Sequence, residues 1–313
     1  MPAFTAASPG KIILFGEHAV VYGEPAIAVP VSAVQARAVV SADLSGEPGE
    51  IQFEAPDINL SAALGELDPD HPLRAAVAAA AGEDRLGQIP ACRIEIRSTI
   101  PPSSGLGSSA AVSAAVIRAF SAFLGQRLSD AEVSSLIYEV EKIHHGTPSG
   151  IDNSVVVYQK PVFYQLARPL EFLTIPSPFE LLIADSGLPG NTRQAVAEVR
   201  ARWKAAPEES EQIFARIGRI AQTAKELLSA GRLDGLGSLM NENQNLLHKL
   251  GVSTPELDRL LESARKAGAQ GAKLSGGGLG GHIIILPGEE REAVESALQD
   301  AGTTRILGTT IGN

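Results

Sequence analysis

The chain is short of several things, and each shortage excludes something. Its 313 residues include one cysteine, Cys92. No disulfide can form within the chain, and a reducing, cytoplasmic setting is expected. Cys92 sits in the alternating stretch Cys92-Arg93-Ile94-Glu95-Ile96 and reads as an inert core residue. Aromatic residues make up only 4%, so the core is aliphatic and broad stacking platforms for nucleic acid are excluded. Positive charge is also in deficit: 26 Lys and Arg stand against 36 Asp and Glu, a net charge of −10. A general nucleic-acid binder would want a basic face. A few local donors can still hold phosphates in an acidic protein. No apolar run approaches the roughly 20 residues of a membrane helix. The opening residues lack a basic region followed by an apolar one, so no signal peptide is expected.

What is present is ordinary globular material, 44% hydrophobic. Single cores stop growing at about 250–300 residues, so two lobes are expected. The first hundred residues read as strand-rich: Ile12 to Phe15, Ala26 to Val40 and Ile51 to Phe53 are apolar runs broken by Gly and Pro. Residues 91–98 alternate apolar and charged, as a strand with one wet face does. The period then changes. Val112, Val116, Ala119, Phe120 and Phe123 share a helical face over Ser108 to Leu124. A second helix begins at Ser129, with Glu132 completing a capping box, and ends in the turn Gly146 to Gly150. Residues 155–164 return to a strand pattern. Beyond Pro169 to Pro178, an apolar run covers Leu181 to Ala184. Ile213, Ile217, Ile220, Ala224 and Leu227 then mark a long helix. Another helix covers Leu236 to Leu250, and a third starts at Thr254 with Pro255 at its first position. Lys273 to Leu286 reads as two strands joined by a glycine-rich loop. The expected class is α+β, with lobes at 1–172 and 173–313.

The segment Ile100 to Ala111 places Pro102, Ser103, Ser104, Gly105, Leu106, Gly107, Ser108 and Ser109 between a strand and a helix. Gly105 and Gly107 permit positive φ. The first turn of the helix offers unpaired N–H groups and a positive dipole end, where phosphates bind. The hydroxyls of Ser108 and Ser109 add donors, or a ligand for Mg²⁺. Three readings compete: a plain serine-capped turn, a dinucleotide fingerprint, and a triphosphate loop of a kind other than the lysine-bearing P-loop. The fingerprint needs a following strand with an acidic end; a helix capped at Ser129 follows instead.

A triphosphate loop needs a metal carboxylate and a base. Glu141 near the end of the second helix and Asp152 after the turn lie 11 positions apart, and a turn between them allows them to face one site. Phosphoryl transfer uses one carboxylate at Mg²⁺ and one residue at the acceptor hydroxyl. Lys11, in Pro9-Gly10-Lys11, would ease removal of that proton. Alone, each carboxylate has an ordinary reading, Glu141 as a solvated charge and Asp152 as a partner of turn amides. His144 and His145 are adjacent and share no helix face, so no zinc site is expected.

Three segments together resemble the GHMP kinase superfamily: Pro9 to Gly23, with Gly16-Glu17-His18-Ala19-Val20-Val21-Tyr22-Gly23; the loop Pro101 to Ala111; and Gly271 to Gly281. Within it the chain is similar to the mevalonate kinases, through the Glu17-His18 run and His145-Gly146-Thr147-Pro148-Ser149-Gly150-Ile151-Asp152-Asn153. Asn191-Thr192-Arg193 and Met240-Asn241-Glu242-Asn243 lend support. Phosphomevalonate kinases usually carry Tyr where His18 stands, and galactokinases continue differently after Gly-Glu-His. The resemblance implies a ribosomal-S5-like N-terminal lobe and a ferredoxin-like C-terminal lobe. It implies ATP, Mg²⁺ and mevalonate as reactants and metal, and a homodimer. Asp152 would be the base and Lys11 its electrostatic partner. Ser108 and Glu141 would ligate Mg²⁺, and residues 102–109 would hold ATP. Glu17, His18, Ser149, Thr192, Gly276 and Gly277 would line the acceptor site. The chain departs from the pattern at Ser103-Ser104, where relatives often have Gly or Ala pairs, and at Phe15, where some mevalonate kinases have His. Rival readings are a phosphomevalonate kinase or another acceptor kinase of the superfamily, and a non-catalytic nucleotide or metabolite sensor.

Overall fold

In chain order the elements are strands β1 (Ala3–Phe15), β2 (Ala26–Ala42), β3 (Ile51–Ala55) and β4 (Leu60–Ala63), helix α1 (Pro72–Ala81) and strand β5 (Cys92–Ser98). Helices α2 (Ser108–Phe123), α3 (Asp130–His145) and α4 (Ile151–Tyr158) follow, then strands β6 (Val162–Tyr164), β7 (Glu171–Phe172) and β8 (Phe179–Asp185). The chain ends with helices α5 (Thr192–Ala205), α6 (Pro207–Ser229), α7 (Leu236–Lys249) and α8 (Pro255–Lys266), strands β9 (Gly271–Ser275) and β10 (His282–Leu286), helix α9 (Arg291–Asp300) and strand β11 (Ile306–Ile311). The computed structural model describes residues 3–101, 105–145 and 149–312, with His144 and His145 by backbone alone. The turn expected at Gly146, Thr147 and Pro148 lies outside the described residues.

The chain divides by contacts into two compact units. The first holds Met1–Gly10, Val34–Pro101 and Gly107–Gln159; the second holds Lys11–Ala33, Pro102–Leu106 and Lys160–Asn313. A single cut at 172/173 follows chain order, whereas the contacts place residues 11–33, Gly105 and Leu106 with the C-terminal part. The reason is that β1 and β2 are long strands, of 13 and 17 residues, that begin in one unit and end in the other.

In the first unit, β5 lies between β2 and β3. It pairs antiparallel with β2 from Ala36↔Ser98 to Ala42↔Cys92, and parallel with β3 from Ile51↔Cys92. The alternation of 91–98 emerges as expected: Cys92, Ile94 and Ile96 are buried and Arg93 and Arg97 exposed. Burial pushes the Cys92 thiol up to about 12. Helices α1 to α4 pack on one another, and α2 also packs on β5. The capping box of α3 is present. Glu132 accepts from the Ser129 amide at 2.7 Å, and its own amide donates to Ser129 Oγ at 3.3 Å. Helix α1 goes beyond the strand-rich reading of the first hundred residues. Its alanine-rich sequence has no polar face to reveal a period.

The strand expected over 155–164 is corrected. Residues 155–158 belong to α4, and only Val162–Tyr164 is strand. The Val155-Val156-Val157 run has the β-branched character of a strand. Gly150, in the left-handed region, starts a helix instead, and packing holds it. Ser154 Oγ donates to Gly150 O at 2.7 Å, Asn153 Nδ2 donates to Ser134 O at 3.1 Å and Oγ at 2.8 Å, and Ser8 Oγ donates to Val156 O at 2.6 Å. Tertiary contacts override local propensity here.

The second unit contains an antiparallel sheet in the order β11-β8-β10-β9. Leu181 to Ala184 in β8 and Ile283 to Ile285 in β10 are fully buried, which explains their unbroken apolar runs. Helix α6 buries Ile213, Ile217, Ile220 and Ala224 as its pattern predicts, ending on Leu228 where the sequence suggested Leu227. Thr254 caps α8, accepting from the Leu257 amide at 3.3 Å. Strand β9 lies at the end of the sheet, and α7 packs along it. Asn241 Oδ1 accepts from the Ala272 amide at 3.1 Å, and Gln244 Oε1 from the Leu274 amide at 2.9 Å. The start of β2 pairs with β6, and β6 with β7, in the same unit.

Candidate active site

The predicted residues fall into two groups. Gly107, Ser108, Ser109, Glu141, Ser149 and Asp152 belong to the first unit; Lys11, Glu17, His18, Gly105, Leu106, Thr192, Gly276 and Gly277 belong to the second. Pro102, Ser103 and Ser104 lie outside the described residues.

Gly105 and Gly107 have φ of +79° and +73°, the backbone that makes glycine necessary in this turn. Gly107 is the N-cap of α2 and supplies no side-chain cap. The amides of the first turn, Ser108 onward, are therefore not capped by the residue before them, which is the condition for anion binding. Leu106 is buried, and its carbonyl accepts from the Lys11 amide at 2.9 Å. Lys11 is itself buried, 5% exposed, on β1.

Glu141 lies in the last turns of α3 and is 4% exposed, which rules out the reading as a solvated charge. Burying a carboxylate costs free energy unless it is matched. Asp152 is the second residue of α4 and half-buried, where a negative charge suits the helix dipole. Ser149 Oγ accepts from the Ile151 amide at 3.3 Å, and Asn153 ties α4 to α3. The carboxylate of Asp152 thus projects from a helix start fixed on both sides.

In the second unit, Glu17 and His18 form a tight turn after β1. The Ala19 amide donates to Glu17 O at 2.6 Å across His18, whose φ and ψ are 60° and −47°. This is a γ-turn of the positive-φ kind, which is rare and strained by about 1–3 kcal/mol. His18 Nε2 donates to Gly277 O at 2.8 Å, which fixes the proton on that nitrogen. Burial pulls the ring below its usual pKa, and the Gly277 hydrogen bond opposes this. Gly277 in turn presses on Thr192, the first residue of α5. A Cβ there would come within 2.8 Å of Thr192 Cα and 2.9 Å of its Oγ1.

The sequence reading missed Lys273. It stands on β9 with no exposure and donates to the equally buried Glu17 carboxylate, and to Leu274 O at 2.6 Å. Burial raises the pKa of Glu17 and lowers that of Lys273, and their mutual attraction opposes both shifts. The amides of Glu17 and Gly276 also favour the carboxylate, yet Oε2 has no partner in hydrogen-bond geometry. The signal was available: a lone lysine inside the apolar strand Gly271-Ala-Lys-Leu-Ser275 demands a charged partner. An open cleft of about 530 Å³ elsewhere in this unit is rimmed by Glu180 and Asp234 and contains none of these residues. Both carboxylates are paired, Glu180 with Arg291 and Asp234 with Arg232.

The chain matches the family model described as the GHMP kinases N-terminal domain over residues 72–160, and that of the GHMP kinases C-terminal region over 224–304. It is 38% identical to a mevalonate kinase of Pyrococcus horikoshii over 322 residues, covering 95% of this chain and 92% of the relative. Among solved structures, it is similar to the Methanococcus jannaschii mevalonate kinase, with a TM-score of 0.86, 28% identity and coverage of 100% of this chain and 99% of the other. It also resembles the L. major mevalonate kinase solved in complex with R-mevalonate, with a TM-score of 0.82, 28% identity and coverage of 98% and 95%. With both family regions in order and likeness along nearly its whole length, the chain is a kinase of the GHMP family and belongs alongside the mevalonate kinases.

Proposed function

We propose that this kinase transfers the γ-phosphoryl group of ATP to the 5-hydroxyl of mevalonate. The products are 5-phosphomevalonate and ADP, in isoprenoid precursor synthesis by the mevalonate pathway. The observation that carries this reading is the 38% identity to a mevalonate kinase across 95% of the chain. Likeness to the phosphomevalonate kinase of Streptococcus pneumoniae, at 17% identity, concerns the fold alone.

In this reading the amides from Gly105 to Ser109, together with Pro102, Ser103 and Ser104, cradle the triphosphate at the start of α2. Asp152 accepts the 5-hydroxyl proton as the oxygen attacks phosphorus, and Lys11 stabilises the developing alkoxide. Glu17, His18, Ser149, Thr192, Gly276 and Gly277 line the acceptor site. Residues 1–172 serve as the nucleotide-binding lobe.

Ser108 and Glu141 would hold Mg²⁺, and the donor set fits. Both offer hard oxygen ligands, and Glu141 is a carboxylate withdrawn from solvent. Among the described residues no cluster of three or more His, Cys, Asp or Glu forms a cage. Mg²⁺ typically binds one or two carboxylates plus substrate phosphates, so a sparse protein set suits it. When bound, the ion would neutralise charge on the transferring phosphoryl group. No helix among the described residues is long and apolar enough to cross a membrane; we further propose a cytoplasmic location and a homodimer.

The decisive assay measures ADP release with mevalonate, phosphomevalonate, homoserine and galactose. Fastest turnover is expected on mevalonate. Faster turnover on any of the other three would overturn the assignment, and ATP binding without turnover on all four would favour a sensor.

A further inference from the structure

Strand β9 and the loop after it grip the Ile13–His18 segment at three points. Ser275 Oγ donates to Ile13 O at 2.9 Å and accepts from the Ile13 amide at 3.2 Å. Lys273 pairs with Glu17, and Gly277 O accepts from His18. Residues 273 and 275 are two apart on a strand and so project to one face; Gly277, in the turn after the strand, adds its backbone carbonyl. What they grip does not hold itself, because the γ-turn at His18 is a strained backbone form that persists only when its surroundings impose it.

The Lys273–Glu17 pair is a costly way to gain stability. Neither side chain has any exposure, and a buried ion pair often does no better than well-packed apolar residues of similar volume. Its distinguishing property is direction. The ammonium fixes where the Glu17 carboxylate points, and so fixes the residue that opens the turn. With its carboxylate engaged by Lys273 inside the protein, Glu17 has its position passed on through its own backbone and through His18.

We propose that Lys273 is a positioning residue for the acceptor: by holding Glu17 it keeps the Glu17-His18 turn, against Gly277 and Thr192, in the shape that receives mevalonate. This rests on the reading that mevalonate is the acceptor and meets this turn. Lys273 touches neither substrate; it acts through Glu17.

The test uses the full chain carrying Lys273→Met, Lys273→Arg, or Glu17→Gln with Lys273→Met. Steady-state ADP release is measured with mevalonate varied at saturating ATP and Mg²⁺, then with ATP varied at saturating mevalonate. Circular dichroism and thermal melts establish folding. The mevalonate KM of Lys273→Met is expected to rise about 10–100-fold, the scale of one lost hydrogen bond to a charged ligand, while the ATP KM stays at the wild-type value. Lys273→Arg is expected to recover most of the loss. If Lys273→Met does not fold, the double variant, which leaves no unpaired buried charge, is expected to fold and to show the same split. A folded variant lacking Lys273 with a wild-type mevalonate KM overturns the proposal, as does a parallel rise in both KM values. Should the wild-type protein prefer another acceptor, the mevalonate reading fails by itself. The same split is then measured with that acceptor, and its presence or absence decides the role of Lys273.

Discussion

A single buried charge left without its partner is among the most damaging changes a core can suffer. Lys273→Met alone strands the Glu17 carboxylate where water does not reach, and a loss of about 3–5 kcal/mol in chemical unfolding is expected. Cys92 makes the opposite case. It is 2% exposed and its thiol is pushed up to about 12, so it remains protonated far above neutral pH. The folded protein should not react with a thiol-specific disulfide reagent at pH 8, whereas the denatured chain should release one equivalent of chromophore. At the proposed site, Asp152→Asn should lower kcat at least ~100-fold, the scale of general-base catalysis; near-normal turnover would reduce Asp152 to orienting the hydroxyl. Glu141→Gln should weaken the Mg²⁺ dependence of ATP binding by calorimetry, and an unchanged metal titration would remove it from the ligand set. Most residues of the proposed site stand in local patterns that the sequence displays, a glycine turn, a helix start or a Gly-Glu-His run. Lys273 left a weaker one. Its partner is 256 positions away, and no local pattern names a partner at that distance.

Elements whose cause is local were legible. The capping box of α3, the Thr254-Pro255 start of α8, the stripe of α6 and the alternation of β5 all appear where the sequence placed them. Elements settled by long-range packing were not. Val155-Val156-Val157 looks like strand and is helix, since Asn153 and Ser8 bind it to α3 and β1. Helix α1 escaped notice because an alanine-rich segment shows no period. The α7–β9 pairing belongs to the same class. Asn241 and Gln244 lie on one helix and serve alternate amides of one strand, a match of two periodicities that only the fold reveals. Asn241→Ala leaves the Ala272 amide without this acceptor and also removes the partner of Arg265 Nε, at 2.8 Å. A loss of about 1–3 kcal/mol is expected in urea unfolding, and Gln244→Ala should lose a similar amount. A variant as stable as wild type would show that water replaces the side chain.

At the scale of the molecule, the chain order and the contact order differ. The C-terminal unit draws on Lys11–Ala33, including Ala19 and Tyr22, which pack into its core, and Glu17, which pairs with Lys273. A fragment starting at residue 173 would therefore carry a buried lysine without its carboxylate and a core missing one wall. Expressed alone it should show no cooperative melting transition, and co-expression with residues 1–172 should restore one. Two-part organisation was foreseeable from length; the return of the N-terminal segment to the later part was not, because nothing in a single strand says which neighbours it will find at each end. The side chains that α7 lays along β9 have a consequence beyond one molecule. A terminal strand with free amides is a template on which another chain can lengthen the sheet. Asn241 and Gln244 occupy those donors at Ala272 and Leu274, so α7 acts as a stopper against growth from that side. If α7 frayed, the first sign would be self-association between copies, ahead of any loss of the sheet itself.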